Sequence, residues 1–312
     1  MRVAIFGTGG AGGYFGAKLA RAGEDVTFIA RGEHLRAIRE RGLRLETPGE
    51  EVLINPAEAT DDPAQVGTVD AVLVGVKTWQ LSAAAEQMRP MIGPETFVVP
   101  LQNGVEASGQ LAQILGPESV LEGLCGTVSR VVGPGHILSL GQTNFIKFAE
   151  TDNRPSERAE RLRRAFERAG VRAEVPVDIR AALWEKFIFV VPYGGVGALV
   201  RAPASVVRSL PETRRLLERG MLEILGVARA RRIALSEDVI EKTFKLLDAL
   251  SQDATASLQR DIIAGRRSEL DAWTGAVVRL GRESGVETPL HEFIYDSLLP
   301  AELRARGELQ FP

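Results

Sequence analysis

A domain of parallel strands and flanking helices, followed by an all-helical domain, is the fold class this sequence predicts, on three observations. Short apolar runs alternate with helical stretches from residue 1 to about residue 177. A glycine-rich turn joins the first apolar run to the first helix. Beyond residue 177 the strand-like runs cease, and apolar residues recur at i, i+3 and i+4, as they do in packed amphipathic helices. The expected domains are 1–177, α/β, and 178–312, all-α.

Residues 2–6 read as a buried strand that runs into Gly7-Thr8-Gly9-Gly10-Ala11-Gly12. Gly7, Gly9 and Gly12 hold the G-x-G-x-x-G spacing, residues 11–22 follow as a helix, and residues 25–29 as a second strand. Each glycine has a physical task. Gly7 permits the tight turn, Gly9 lets backbone approach a pyrophosphate, and Gly12 lets the helix pack closely on the strand. The helix N-terminus adds unpaired N–H groups and the positive end of its dipole, which together favour an anion. In this strand–turn–helix–strand context the motif predicts a Rossmann-type doubly wound domain and a dinucleotide site. An NAD-preferring site places an acid at the end of the second strand, whereas this chain has Ala30 and Arg31 there. A guanidinium suits a 2′-phosphate, so NADP(H) is the expected cofactor.

Further strands are expected at 71–76, at 97–101 and in pieces between 120 and 148, with 52–55 and 135–140 as additional strands of unassigned place. Helices are expected at 34–41, 81–88, 105–115 and 156–169. This alternation implies a mostly parallel sheet covered on both faces. In the second domain the helical stretches are 179–200, 214–231, 237–250 and 269–284. A ligand cleft is expected between the two domains, at the carboxyl ends of the strands.

Composition narrows the function. With 45% hydrophobic and 25% charged residues the chain has the make-up of a soluble globular protein. A net charge of −3 and the lack of a basic tract argue against nucleic acid. The single cysteine, Cys125, suits a reducing cytoplasm. Three histidines without clustered cysteines argue against a zinc site. No signal peptide or membrane-spanning run is expected. The helical half could pair with a second copy.

Several residues stand where chemistry is expected. Lys77 and Gln80 follow one strand, and Asn103-Gly104 follows another. Lys186 lies within Trp184-Glu185-Lys186-Phe187-Ile188-Phe189, where desolvation lowers a lysine pKa and suits it to act as a general acid. A lysine that snorkels along apolar surface fits the same pattern. Ser268 with Asp271 resembles a capping pair, so a helix is expected to begin there with Glu269 in its first turn.

Taken together, the glycine turn, Arg31-Gly32-Glu33-His34, Lys77-x-Trp79-Gln80, Gln102-Asn103-Gly104, Leu183-Trp184-x-Lys186, Ser257-Leu258-x-x-Asp261 and Gly265-Arg266-x-x-Glu269-x-Asp271 resemble the ketopantoate reductases. The resemblance spans nearly the whole chain. It implies NADPH-dependent reduction of 2-dehydropantoate to pantoate, a step of pantothenate and coenzyme A biosynthesis. It also implies Lys186 as general acid, Glu269 orienting Lys186 and the substrate hydroxyl, and Asn103 bridging cofactor and substrate. Ser257 would hold the substrate carboxylate, Lys77 and Gln80 would line the cofactor site, and Arg31 would take the 2′-phosphate. The family pattern carries two asparagines after the lysine, where this chain has Val190 and Gly194, and a third where it has Ala254. Those departures remove hydrogen-bonding capacity and favour a more apolar, branched or aromatic 2-oxo acid as an alternative substrate. A non-catalytic NADP-binding sensor would not need Lys186 and Glu269 together.

Overall fold

In the computed structural model residues 1–141 and 144–311 are described. The first part of the chain runs β1 (Arg2–Phe6), α1 (Gly10–Arg21), β2 (Asp25–Ile29), α2 (Gly32–Arg41), β3 (Leu43–Thr47), β4 (Glu50–Ile54) and β5 (Glu58–Thr60). It continues with β6 (Ala71–Val74), α3 (Leu81–Met88), β7 (Phe97–Pro100), α4 (Ala107–Leu115) and β8 (Leu121–Gly126). After these come β9 (Ser129–Gly133), β10 (His136–Ser139), β11 (Phe145–Glu150), α5 (Glu157–Arg168) and β12 (Arg172–Glu174). The helical part comprises α6 (Ile179–Val200), α7 (Ala204–Ser209), α8 (Pro211–Ala230), α9 (Val239–Asp248), α10 (Ser257–Ile263), α11 (Thr274–Ser284) and α12 (Pro289–Arg306).

The principal sheet has five parallel strands in the order β5-β2-β1-β6-β7. Its inner strands β1 and β6, and β7 beside them, read as nearly continuous apolar runs because both faces are covered. The two-residue period of a strand sorts their side chains: Val3, Ile5, Ala71 and Leu73 join one buried cluster, while Ala4, Phe6, Val72 and Val74 join another. Phe15 of α1 packs in the first cluster, and Leu81, Ala85 and Met88 of α3 pack in the second.

Two smaller sheets accompany it, one ordered β4-β3-β10-β9 and one ordered β12-β11-β8. Three strands lie outside the runs expected from sequence. β3 does carry the alternation of a half-buried strand, with apolar Leu43 and Leu45 between charged Arg44 and Glu46, whereas β5 and β12 are only three residues long and too short to give a periodic signal.

The chain divides into two compact units. One comprises residues 1–102 and 107–179, and the other Asn103–Glu106 with Arg180–Pro312. A single boundary at 177/178 leaves residues 103–106 with the strands, whereas their contacts are with the helices. Gly104 has φ +111, and a Cβ there would lie 3.1 Å from the Ala272 carbonyl oxygen. Close packing of this glycine joins Asn103 to the helical unit.

The helix α6 is apolar around most of its circumference and contains Pro192. Among the described helices it is the one long and apolar enough to cross a bilayer, yet 72% of its most apolar window is buried inside the protein. A helix buried on all sides reads the same way in sequence.

Candidate active site

The glycine turn is built by close approach of backbone to backbone. Gly7 has φ +99, and a Cβ there would meet Val76 Cγ1 at 2.7 Å and the Gly75 carbonyl carbon at 2.9 Å. At Gly12 a Cβ would stand 2.2 Å from the Gly7 oxygen and 3.0 Å from Ile5 Cγ2. Gly9 differs, since its nearest neighbour would be the Gly75 oxygen at 3.9 Å, so space remains beside its backbone. Gly10 is confined for another reason: a Cβ would lie 2.2 Å from the Ser129 oxygen, so this glycine packs α1 against the second sheet. The first turn of α1, from Gly10 through Ala11 and Gly12, has no side-chain cap and no acidic residue. Its N–H groups therefore suit an anion.

The carbonyl of Ile29, at the end of β2, pins the turn by accepting from Gly7 N–H at 3.2 Å, Thr8 N–H at 3.1 Å and Thr8 Oγ1 at 3.0 Å. Thr8 is thus buried and spends its hydroxyl on the protein. On the turn's other side His34 Nε2 donates to the Thr8 carbonyl at 2.8 Å, and Nδ1 accepts from Gly135 N–H at 3.0 Å. These partners set the tautomer, because a carbonyl can only accept and an N–H can only donate. Burial holds the His34 pKa below its ordinary 6.5, with the Thr8 carbonyl opposing in part.

The neighbouring strand ends carry the other expected cofactor residues. Arg31 stands at the N-cap of α2, is exposed, and donates through Nη2 to Gln87 Oε1 at 2.7 Å. Lys77 Nζ lies 5.7 Å from the centre of the Trp79 ring. The Gln80 amide oxygen accepts from Lys77 N–H at 3.1 Å and so closes the turn after β6. Gln102, buried, donates through Nε2 to the Val74 and Val76 carbonyls at 2.9 and 2.8 Å. It laces the ends of β6 and β7 together. Its place after a buried strand was its one sequence signal, and its structural task was not legible there.

The second group of expected residues lies in the helical unit. Lys186, half-buried, sits in α6 between the buried pairs Leu183-Trp184 and Phe187-Ile188. Ser257 is the first residue of α10. Asn103 is half-buried and belongs to the same unit. Glu269 is 8% exposed, but it does not open a helix. The helix α11 begins at Thr274, and residues 269–273 form turns in which the Glu269 carbonyl accepts from Ala272 and Trp273 N–H at 3.1 and 3.0 Å.

The expected capping pair fails because α12 takes both partners. Glu302, wholly buried, accepts from Ser268 N–H at 2.9 Å, from Ser268 Oγ at 2.6 Å and from Arg306 Nε at 2.8 Å. Asp271 accepts from Tyr295 Oη at 2.7 Å and pairs with Arg306. Burial pushes the Asp271 carboxyl up, yet Tyr295 and Arg306 outweigh it and hold the pKa below its ordinary 3.8. Glu269 is thus flanked on both sides in the chain by residues fixed to the last helix.

Two glycines tie this turn to its surroundings. At Gly104 the near atom is the Ala272 oxygen, as described above. At Gly194 a Cβ would lie 2.7 Å from Trp273 Cζ3 and 3.4 Å from Ala256 Cβ. Asn103, Glu269 and Ser257 are each within a few residues of these contacts, so the helical unit draws their segments together. Neither contact has a sequence signal: Gly104 reads as a turn glycine, and Gly194 only as a weak spot inside an apolar helix.

Comparison with known proteins decides the family. Residues 3–153 match the family described as Ketopantoate reductase PanE/ApbA, and residues 178–302 match its C-terminal part. The chain belongs to the ketopantoate reductase family. It is 31% identical over 310 residues to the 2-dehydropantoate 2-reductase of Mesorhizobium japonicum, covering 93% of this chain and 94% of the relative. A PanE/ApbA family ketopantoate reductase structure from Ralstonia eutropha superposes with a TM-score of 0.89 at 31% identity, covering 98% of this chain and all of the other. A D-mandelate dehydrogenase with NADH and anilino(oxo)acetate shares the fold, with a TM-score of 0.90 at 22% identity and coverage of 98% and 99%. This member of the ketopantoate reductase family is an oxidoreductase whose two matched stretches correspond to an α/β part and a helical part.

Proposed function

We propose that this protein reduces a 2-oxo acid to a 2-hydroxy acid with NADPH, Lys186 supplying the proton. The observation that carries the proposal is a half-buried lysine and a buried carboxylate, Glu269, held in one rigidly braced helical unit. The dinucleotide fits the first unit, because the uncapped start of α1 and the open side of Gly9 leave room for a pyrophosphate. Arg31, with Gln87 steadying its guanidinium, supplies the positive group for a 2′-phosphate. Lys77 and Gln80 border the same strand ends.

When bound, the reduced nicotinamide supplies the hydride. The chain supplies the rest: the Lys186 ammonium stabilises the negative charge that develops on the carbonyl oxygen and donates the proton to it, so hydride and proton together account for the hydroxyl and its carbon–hydrogen bond. Glu269 orients Lys186, Asn103 bridges cofactor and substrate, and Ser257 holds the substrate carboxylate. A single buried cysteine, Cys125, suits a reducing cytoplasm.

The leading substrate is 2-dehydropantoate, which the family membership supports. A branched or aromatic 2-oxo acid is the second reading, favoured by Val190 and by the indole of Trp273 over Gly194. The test is NADPH oxidation by purified protein with 2-dehydropantoate, 2-oxoisovalerate and phenylglyoxylate. Turnover of any of them supports the reaction class, and its loss with all three removes it. Arg31→Ala should weaken NADPH by roughly tenfold or more relative to NADH, the loss of a charge-assisted contact. Equal weakening of both would show that Arg31 does not read the phosphate.

A further inference from the structure

We propose that Trp273 determines side-chain selectivity by walling the stripe of α6 beyond Lys186 with hydrocarbon. The assignment rests on Lys186 being the proton donor and on the more apolar of the two substrate readings. Lys186, Val190 and Gly194 follow at i, i+4 and i+8, so they lie along one face of α6. One turn beyond the lysine this face presents the branched hydrocarbon of Val190, which is 8% exposed. A turn later it presents no side chain at all.

Trp273 fills that place. A Cβ on Gly194 would lie 2.7 Å from Cζ3 and 3.1 Å from Cε3, so the six-membered ring rests against helix backbone. Ala256 is the third neighbour, 3.4 Å from the same position and next to Ser257 in the chain. No polar atom is among these contacts. The indole nitrogen belongs to the other ring, is buried, and has no hydrogen-bond partner among the described residues. A hydroxyl laid against this surface gives up water and gains no hydrogen bond.

The wall and the carboxylate are coupled. Trp273 N–H donates to the Glu269 carbonyl, and the preceding Ser268 is clamped by Glu302. The indole is therefore held by the same brace as Glu269. The bond to Glu269 is made by the Trp273 backbone, so a side-chain change at Trp273 keeps both that bond and Lys186.

The test compares 2-dehydropantoate with 3,3-dimethyl-2-oxobutanoate, which lacks only its hydroxyl. Wild type should favour the deoxy compound in kcat/KM by about tenfold, within the range that an apolar pocket achieves against an added hydroxyl. Trp273→Leu with Gly194→Asn, which gives an amide the room now held by the indole, should reverse the preference with NADPH affinity kept. Trp273→Phe is the milder variant should the first fail to fold. It should raise kcat/KM for phenylglyoxylate relative to 3,3-dimethyl-2-oxobutanoate by about tenfold, because it shortens the wall. Unchanged substrate ratios in a folded variant would overturn the proposal and leave Trp273 a core residue. A wild type that reduces none of these 2-oxo acids would overturn the reaction class itself, a failure seen before any variant is made.

Discussion

The glycine turn of the first unit and the Glu269 turn of the second hold their groups in opposite ways. The first is made by removal: Gly7, Gly10 and Gly12 lack side chains so that backbone lies on backbone, and Gly9 leaves open space, with the Ile29 carbonyl and neutral His34 fixing the turn. The second is made by addition. Ser268, Asp271, Tyr295, Glu302 and Arg306 form a chain of partly buried charges and hydroxyls around one carboxylate-bearing loop. A turn that exposes N–H groups to an anion is served by closeness and neutrality. A loop braced by the buried carboxylate of Glu302 is served by partners, because each unpaired buried charge is costly.

The sharpest break should come at the chemistry itself. Lys186→Ala is expected to lower kcat by about 10²–10⁴-fold with NADPH affinity kept, since the proposed general acid is lost while the first unit is untouched. Steady-state kinetics beside cofactor titration checks this, and parallel loss of both would place Lys186 in cofactor binding.

Next comes the brace. Glu302→Ala leaves Ser268 and Arg306 without their buried acceptor and should cost roughly 3–5 kcal/mol in urea unfolding. Glu302→Gln keeps the shape and should cost less. If kcat falls with stability while NADPH affinity holds, the brace serves Glu269.

A smaller effect of opposite kind is expected from Gly12→Ala. Its Cβ would stand 2.2 Å from the Gly7 oxygen, so the turn must open. Overpacking of this sort costs about 1–3 kcal/mol, and the loss should appear in NADPH affinity rather than in kcat at saturating cofactor.

The smallest expected effect is a pH dependence. His34 is neutral in the fold and its pKa is lowered, so the unfolded chain takes up a proton first as pH falls. Its contribution to stability is complete above 6.5 and is lost as pH drops below that toward its folded value. Asp271, also lowered, contributes above 3.8 and loses its share only in stronger acid. Thermal unfolding from about pH 7.5 to about pH 5.5 should therefore shift more in wild type than in His34→Gln, whose amide does not titrate. An identical shift in both would assign the dependence elsewhere.

Much of the first unit was legible in sequence because its signals are local. Strands β1 and β2 begin and end where the apolar runs do, and the glycine spacing names its own turn. The helix α6 matches its 22-residue apolar stretch as well. The start of α11 was misplaced because Ser268 and Asp271 form a plausible local cap, and only α12, more than twenty residues on, shows that both are engaged elsewhere.

Sequence alone determined the fold class, the glycine turn, the placing of Arg31 at a strand end and the lysine within an apolar helix. Each depends on residues within a few positions of one another, where periodicity and backbone sterics act. The tertiary structure decided that Asn103 belongs with the helices, that Glu302 braces the Glu269 turn, and that Trp273 fills the place beside Gly194. Those contacts join residues 34 to 168 positions apart, and close packing between distant segments leaves no periodic trace in the chain.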